Sequence, residues 1–207
     1  MMWLGRVPFT CLFLVVMTVA NGLAGTLDGA LPANALTQWG ISHRTVIDGD
    51  MGRLVTGTFL SHDLAMFLRQ FAFAATVIGY FEWQTSTLRA VLTFFTIDML
   101  GTLIVLFGVV PVVASIPTLG HPAAQHTLDV GMSAGGFGLI GAILAGWPRK
   151  GLLLVAVLLA MAGKVWLNFE VIADSAHVIC LLLGFALQHV FPVQRLHAGG
   201  NSSIDRQ

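Results

Sequence analysis

Charge is scarce in this chain. Ten Lys and Arg and ten Asp and Glu in 207 residues make 10% charged side chains, against roughly 25% in an ordinary soluble domain. The signs cancel, so there is no basic face of the kind that attracts nucleic acid. Cysteine is nearly absent: Cys11 and Cys180 are the only two, both inside apolar runs. That usage argues against a disulfide framework and fits two small packing residues. What fills the chain is apolar, at 56% of residues. The composition predicts an all-α, polytopic membrane protein of one domain, residues 1–207.

Six apolar runs stand out, at 8–27, 55–81, 90–113, 130–147, 151–168 and 173–191. Each approaches the ~20 residues that a helix needs to cross a bilayer. The first also has the pattern of a signal peptide, with Arg6 ahead of an apolar stretch and small residues. Its continuation through Leu23 and Leu27 suits an uncleaved span better. Between the runs lie a long polar connection at 28–54, a proline-bearing loop at 114–128 and a tight basic turn at Gly146–Gly151. Residues 192–207 read as a mobile cytoplasmic tail. Arg6, Arg89, Arg149, Lys150, Arg195 and Arg206 fall on one side, which the positive-inside rule assigns to the cytoplasm together with both termini. Trp83, Trp147 and Trp166 lie near span ends, as interfacial tryptophans do. The short tails and the lack of an import-type sequence favour a bacterial cell membrane.

Polar groups inside the runs are the functional candidates, because hydrocarbon does not solvate them. Ser133 lies in Asp129-Val-Gly-Met-Ser-Ala-Gly-Gly-Phe-Gly-Leu-Ile-Gly-Ala142, and His177 in Ala176-His-Val-Ile-Cys-Leu-Leu-Leu-Gly184. With the cytoplasm assigned as above, the second, fourth and sixth spans start at the outer face, and His62, Ser133 and His177 share a depth in their first turns. The glycines and alanines of the fourth span and the spacing Cys180-x-x-x-Gly184 in the sixth permit close helix approach. Such a contact would set a serine nucleophile beside a histidine base.

These residues together resemble the rhomboid family of intramembrane serine proteases. The family signature is Gly-x-Ser at the start of the fourth helix, followed by Phe and Gly four and five residues after the serine; Gly131, Ser133, Phe137 and Gly138 match it. Ala176, His177 and Gly184 match the family's sixth helix, with Cys180 where its first glycine stands. The run Arg53–His62 and the acidic Glu82 resemble the approach to the second helix and its close. The likeness covers roughly residues 50–190 in order and spacing. It implies a six-helix bundle in which Ser133 attacks a peptide carbonyl in a substrate's transmembrane segment. His177 is implied as general base and then acid, with no acidic third member, no metal and no cofactor. The partners implied are single-span membrane proteins and the bilayer itself. Rhomboids carry His-x-x-x-Asn in the second helix to bind the oxyanion; counting back from Glu82 puts Met66 and Gln70 there. Gln70 would then share the oxyanion with the backbone N–H of Ser133, while Met66 donates nothing.

Blander readings stand beside each assignment. A serine in a small-residue seam is by default a packing residue, and a lone histidine a buried hydrogen-bonding group; the flanking pattern is what favours the dyad. His62 reads as a support for the helix end. His121 and His126 have a spacing that zinc sites use, but they read as solvated loop residues. Asp129, Glu170 and Asp174 read as solvated or interfacial groups at the outer mouth. Arg69 and Asp98, both inside apolar runs, are expected to pair with each other. Two further functions compete with proteolysis: a rhomboid-like pseudoprotease that binds transmembrane helices, suggested by Met66 and Gln70, and a small channel or transporter, suggested by Arg69 and Asp98.

Overall fold

The ends of the helices follow from local chemistry. In the computed structural model, which describes residues 6–116, 125–167 and 170–190, helix α1 (Pro8–Ala24) begins with a proline at its first position and ends on Gly25 at φ 88°. Only glycine adopts that left-handed cap without strain. Three short helices follow, α2 (Ala33–Trp39), α3 (His43–Ile47) and α4 (Arg53–Thr56). Asp63 then caps α5 (Leu64–Gln84), its side chain accepting the Met66 N–H at 2.6 Å. Ser86 caps α6 (Thr87–Ile104) in the same way. A π-helical turn, Val105–Val109, carries α6 into α7 (Val110–Ser115). The chain continues through α8 (Ser133–Ala145), α9 (Lys150–Leu167) and α10 (Val171–Val190). Among the described residues there is no strand, only isolated bridges at Ala30–Asp63 and Ile41–Asp129.

Four helices are long and apolar enough to cross a bilayer: Leu64–Gln84, Thr87–Ser115, Lys150–Leu167 and Val171–Val190. They mark the chain as a membrane protein. The apolar helices Pro8–Ala24 and Ser133–Ala145 are shorter. The expected second span, 55–81, is shifted: residues 57–59 form a 3₁₀ turn, Leu60 is extended, and the long helix starts only at Leu64. His62 therefore precedes that helix instead of lying in its first turns. His121 and the tail 192–207, with Arg195 and Arg206, lie outside the described residues.

Helix α8 stands at the centre. One core cluster joins Phe9, Phe13, Ile78, Phe94, Met132 and Leu139, and so ties α1, α5 and α6 to α8. A second joins Ile41, Leu54, Ile97, Ala134, Ala176 and Cys180, and so ties the connection between α1 and α5, together with α10, to its other side. The most extensive helix contact is between α8 and α10. It is a backbone contact: a Cβ on Gly184 would overlap the Gly138 carbonyl, and one on Gly141 would overlap the Leu181 carbonyl. Cys180, where the family pattern has glycine, is accommodated from the opposite side. Its sulfur occupies the space that a Cβ on Gly101 of α6 would fill, and its thiol reaches the Ile97 carbonyl at 3.5 Å.

Far from Ser133, Glu82 ties three helices together. Its buried carboxylate accepts the N–H groups of Phe9 and Thr10 at 2.9 Å each and the Thr10 hydroxyl at 2.7 Å. It also accepts the Thr87 hydroxyl at 2.8 Å. A negative charge thus satisfies the orphan N–H groups at the start of α1 from the end of α5.

Candidate functional site

Gly131 sets the geometry at the start of α8. Its φ of 135° is a conformation that L side chains rarely adopt. A Cβ there would also collide with Gln70 Nε2 and lie 3.0 Å from Met66 Cε. Its N–H is held by the Gly57 carbonyl at 2.9 Å. Two residues on, Ser133 opens the helix.

The two side chains singled out from sequence meet. His177 Nε2 lies 2.8 Å from Ser133 Oγ, across the α8–α10 contact. With the serine hydroxyl donating, Nε2 is the acceptor and the ring proton sits on Nδ1. Phe137, one turn after Ser133, stacks on the imidazole with ring centroids 4.4 Å apart and planes at 27°. Phe73 backs Phe137 at 5.7 Å. No carboxylate among the described residues hydrogen-bonds the His177 ring. The acid three residues earlier, Asp174, is instead bound to Lys164 at 2.7 Å and to the Glu170 N–H at 2.8 Å. It is buried, its side chain holding the N–H at the start of α10. Glu170 stays exposed and reaches Lys164 at 3.1 Å.

A cavity of about 60 Å³ adjoins the pair, lined among others by Met66, Asp98, Thr102, Gly131, Ser133 and His177. That is room for a few water molecules. The N–H groups of Ser133 and Ala134 open α8 and have no acceptor within the helix. Gln70 is buried, with Oε1 accepting the Ser61 hydroxyl at 2.8 Å, which turns Nε2 toward Gly131. The amide donor is thus directed at the segment just before Ser133. Met66 reaches the same segment with a methyl group.

His62 supports the loop, as expected. Its Nε2 lies 3.3 Å from Asp129 Oδ1, joining the approach to α5 to the strand-like bridge before α8. The hydrogen bond to Asp129 is the main reason its pKa is raised above the ordinary 6.5, with the charges of Asp129, Asp63 and Glu170 adding to it against partial burial.

The expected pairing of Arg69 with Asp98 is absent. Asp98 faces inward, 3% exposed, and meets the Gly135 N–H at 2.8 Å and the Thr58 hydroxyl at 2.9 Å. Arg69 faces outward on α5. It stands five residues past Leu64, where α5 begins. The two groups are accommodated separately, Asp98 by its hydrogen bonds and Arg69 by facing outward.

Sequence reasoning overlooked Asn21, Thr58 and Ser61. Asn21 is fully buried inside an apolar run; it donates to the Phe59 carbonyl and accepts the Ser61 N–H at 2.9 Å. A buried amide in an apolar run is itself a signal, and it would have pointed to the loop it braces. Thr58 and Ser61 stand in a turn, where spacing carries no face information. No protein-family model and no curated protein matches this chain.

Proposed function

We propose that the chain is an intramembrane serine endopeptidase of rhomboid type, cleaving transmembrane segments of membrane proteins with a Ser133–His177 dyad. The observation that carries this reading is the 2.8 Å contact between Nε2 and Oγ at a helix start with free N–H groups. In this mechanism His177 Nε2 takes the serine proton as Oγ bonds to the substrate carbonyl carbon. The carbonyl oxygen becomes an oxyanion held by the N–H groups of Ser133 and Ala134, with Gln70 beside them. Collapse breaks the C–N bond, and the proton on His177 goes to the leaving amine. Water, deprotonated by the same imidazole, then frees the acyl group from Ser133.

The bundle in this reading has six spans. Helix α8 needs no full crossing length: its 13 residues reach about 20 Å, and it is enclosed by neighbours. Ser133 then lies below the outer surface, with both chain ends on the cytoplasmic side of a cell membrane. The partners are single-span proteins entering laterally from the bilayer.

Met66 favours a second reading, a helix-binding pseudoprotease. It brings a methyl group to the segment before Ser133 where the family pattern has a donor, and loss of one such donor costs roughly 10²–10³ in rate. Co-reconstitution with a tagged single-span protein separates the two. Proteolysis predicts a fragment cut within the span by wild type and none with Ser133→Ala. Capture of the substrate without a fragment from either protein establishes the pseudoprotease, and a fragment from both refutes the dyad.

A further inference from the structure

The proposed mechanism leaves Asp98 unused, yet this acid is bonded to the chain just after the serine and, through Thr58, to the turn that holds the chain just before it. It lies in the continuous apolar helix Thr87–Ser115, where an unsolvated carboxyl is costly. Its Oδ1 accepts the Gly135 N–H at 2.8 Å, two residues after Ser133. Its Oδ2 meets Thr58 Oγ1 at 2.9 Å. The neighbour of Thr58, Gly57, accepts the Gly131 N–H at 2.9 Å, two residues before Ser133. The carboxyl on α6 thus holds the Gly135 end of the five-residue turn that carries Ser133 directly, and reaches its Gly131 end through Thr58 and Gly57. Gly135 is the third residue of α8, so the tie also consumes an orphan N–H and leaves those of Ser133 and Ala134 free.

Thr58 is itself anchored. Its hydroxyl lies 2.9 Å from the Asp98 carboxyl and 2.9 Å from the Leu54 carbonyl and shares its one proton between these two acceptors. Asp98 and Ser133 line the same cavity.

We infer that Asp98 is a positioning residue that holds the Ser133 turn and its oxyanion donors in place through its hydrogen bonds to Gly135 and Thr58. This rests on the Ser133–His177 reading. The test is the rate of fluorophosphonate labelling at Ser133 in the full chain, resolved into probe affinity and maximal rate. Asp98→Asn keeps an acceptor for Gly135 and a donor for Thr58, and should label within about threefold of wild type from about pH 5 to about pH 8. Asp98→Leu keeps the volume but not the acceptor, and should lower the maximal rate about 100-fold with probe affinity unchanged. A general loss of folding would instead lower the labelled fraction, and rescue by asparagine would not follow. Should Asp98→Leu fail to fold, Thr58→Val takes its place, with a loss of about tenfold expected. Asparagine as slow as leucine would show that the acceptor for Gly135 does not carry the effect, and would overturn the inference. Wild-type rates in the leucine or valine variant would overturn it equally. A folded wild type that never labels refutes the dyad itself, whereas a labelled wild type indifferent to residue 98 refutes only this inference.

Discussion

Substitution of Gly184 by alanine tests whether helix packing sets the Ser133–His177 distance. The added Cβ would overlap the Gly138 carbonyl oxygen. Carbon–oxygen contacts between packed helices sit at about 3.3–3.6 Å, so α8 and α10 must part by on the order of 1 Å. His177 is seven residues before Gly184 on the same helix, about 10 Å along the axis, so the displacement reaches the imidazole. The Nε2–Oγ contact of 2.8 Å would then pass beyond hydrogen-bond reach. A misplacement of that size costs on the order of 100-fold in rate, and overpacking the interface costs about 1–3 kcal/mol in stability. Probe labelling of Ser133 and thermal unfolding in detergent read the two effects separately. The control is Gly163→Ala on α9, where a Cβ meets nothing within 4 Å and stability should change by less than about 1 kcal/mol. Wild-type labelling by Gly184→Ala would refute the claim that the glycine seam places the histidine.

Three further outcomes follow from the same geometry. Glu82→Ala leaves two N–H groups and two hydroxyls without their acceptor; thermal unfolding should show a loss of about 3 kcal/mol or more, and an unchanged melt would contradict its role in joining α1, α5 and α6. His62 gains its partner Asp129 in the fold and its pKa is raised, so its contribution is full below about pH 6.5 and is lost as pH rises through the higher folded value. With both groups partly exposed, the effect is below about 1 kcal/mol; the melting difference between wild type and His62→Gln should shrink from about pH 6 to about pH 8, and a difference that grows would reverse the assignment. Gly101→Ala should destabilise by about 1–3 kcal/mol through collision with the Cys180 sulfur and be relieved by Cys180→Gly; additive effects in the double mutant would refute that pairing.

Some of this was legible in the residue order and some was not. Glycines around Ser133 and Gly184 announce a close helix contact, because only small side chains permit one, and so the approach of His177 to Ser133 could be read from residue order alone. The spacing back from Glu82 likewise found Gln70, which turns its amide toward Gly131. The start of α5 was misread because apolar Val55, Phe59 and Leu60 extend the hydrophobic run backward, whereas Asp63 is the actual cap. The triplet Ser61-His-Asp63 before Leu64 was the available signal. Arg69 and Asp98 were misread for a different reason. Each charge must be accommodated, but sequence alone does not say whether by a partner, by reach to the interface or by backbone N–H groups, as at Gly135.

The most direct measurement is peptide mapping of a fluorophosphonate adduct on the full chain in detergent or liposomes. The account predicts one adduct, on Ser133, formed by wild type and abolished by His177→Ala in protein that keeps its wild-type melt. Adduct on any other residue, or undiminished labelling of Ser133 without His177, would contradict it.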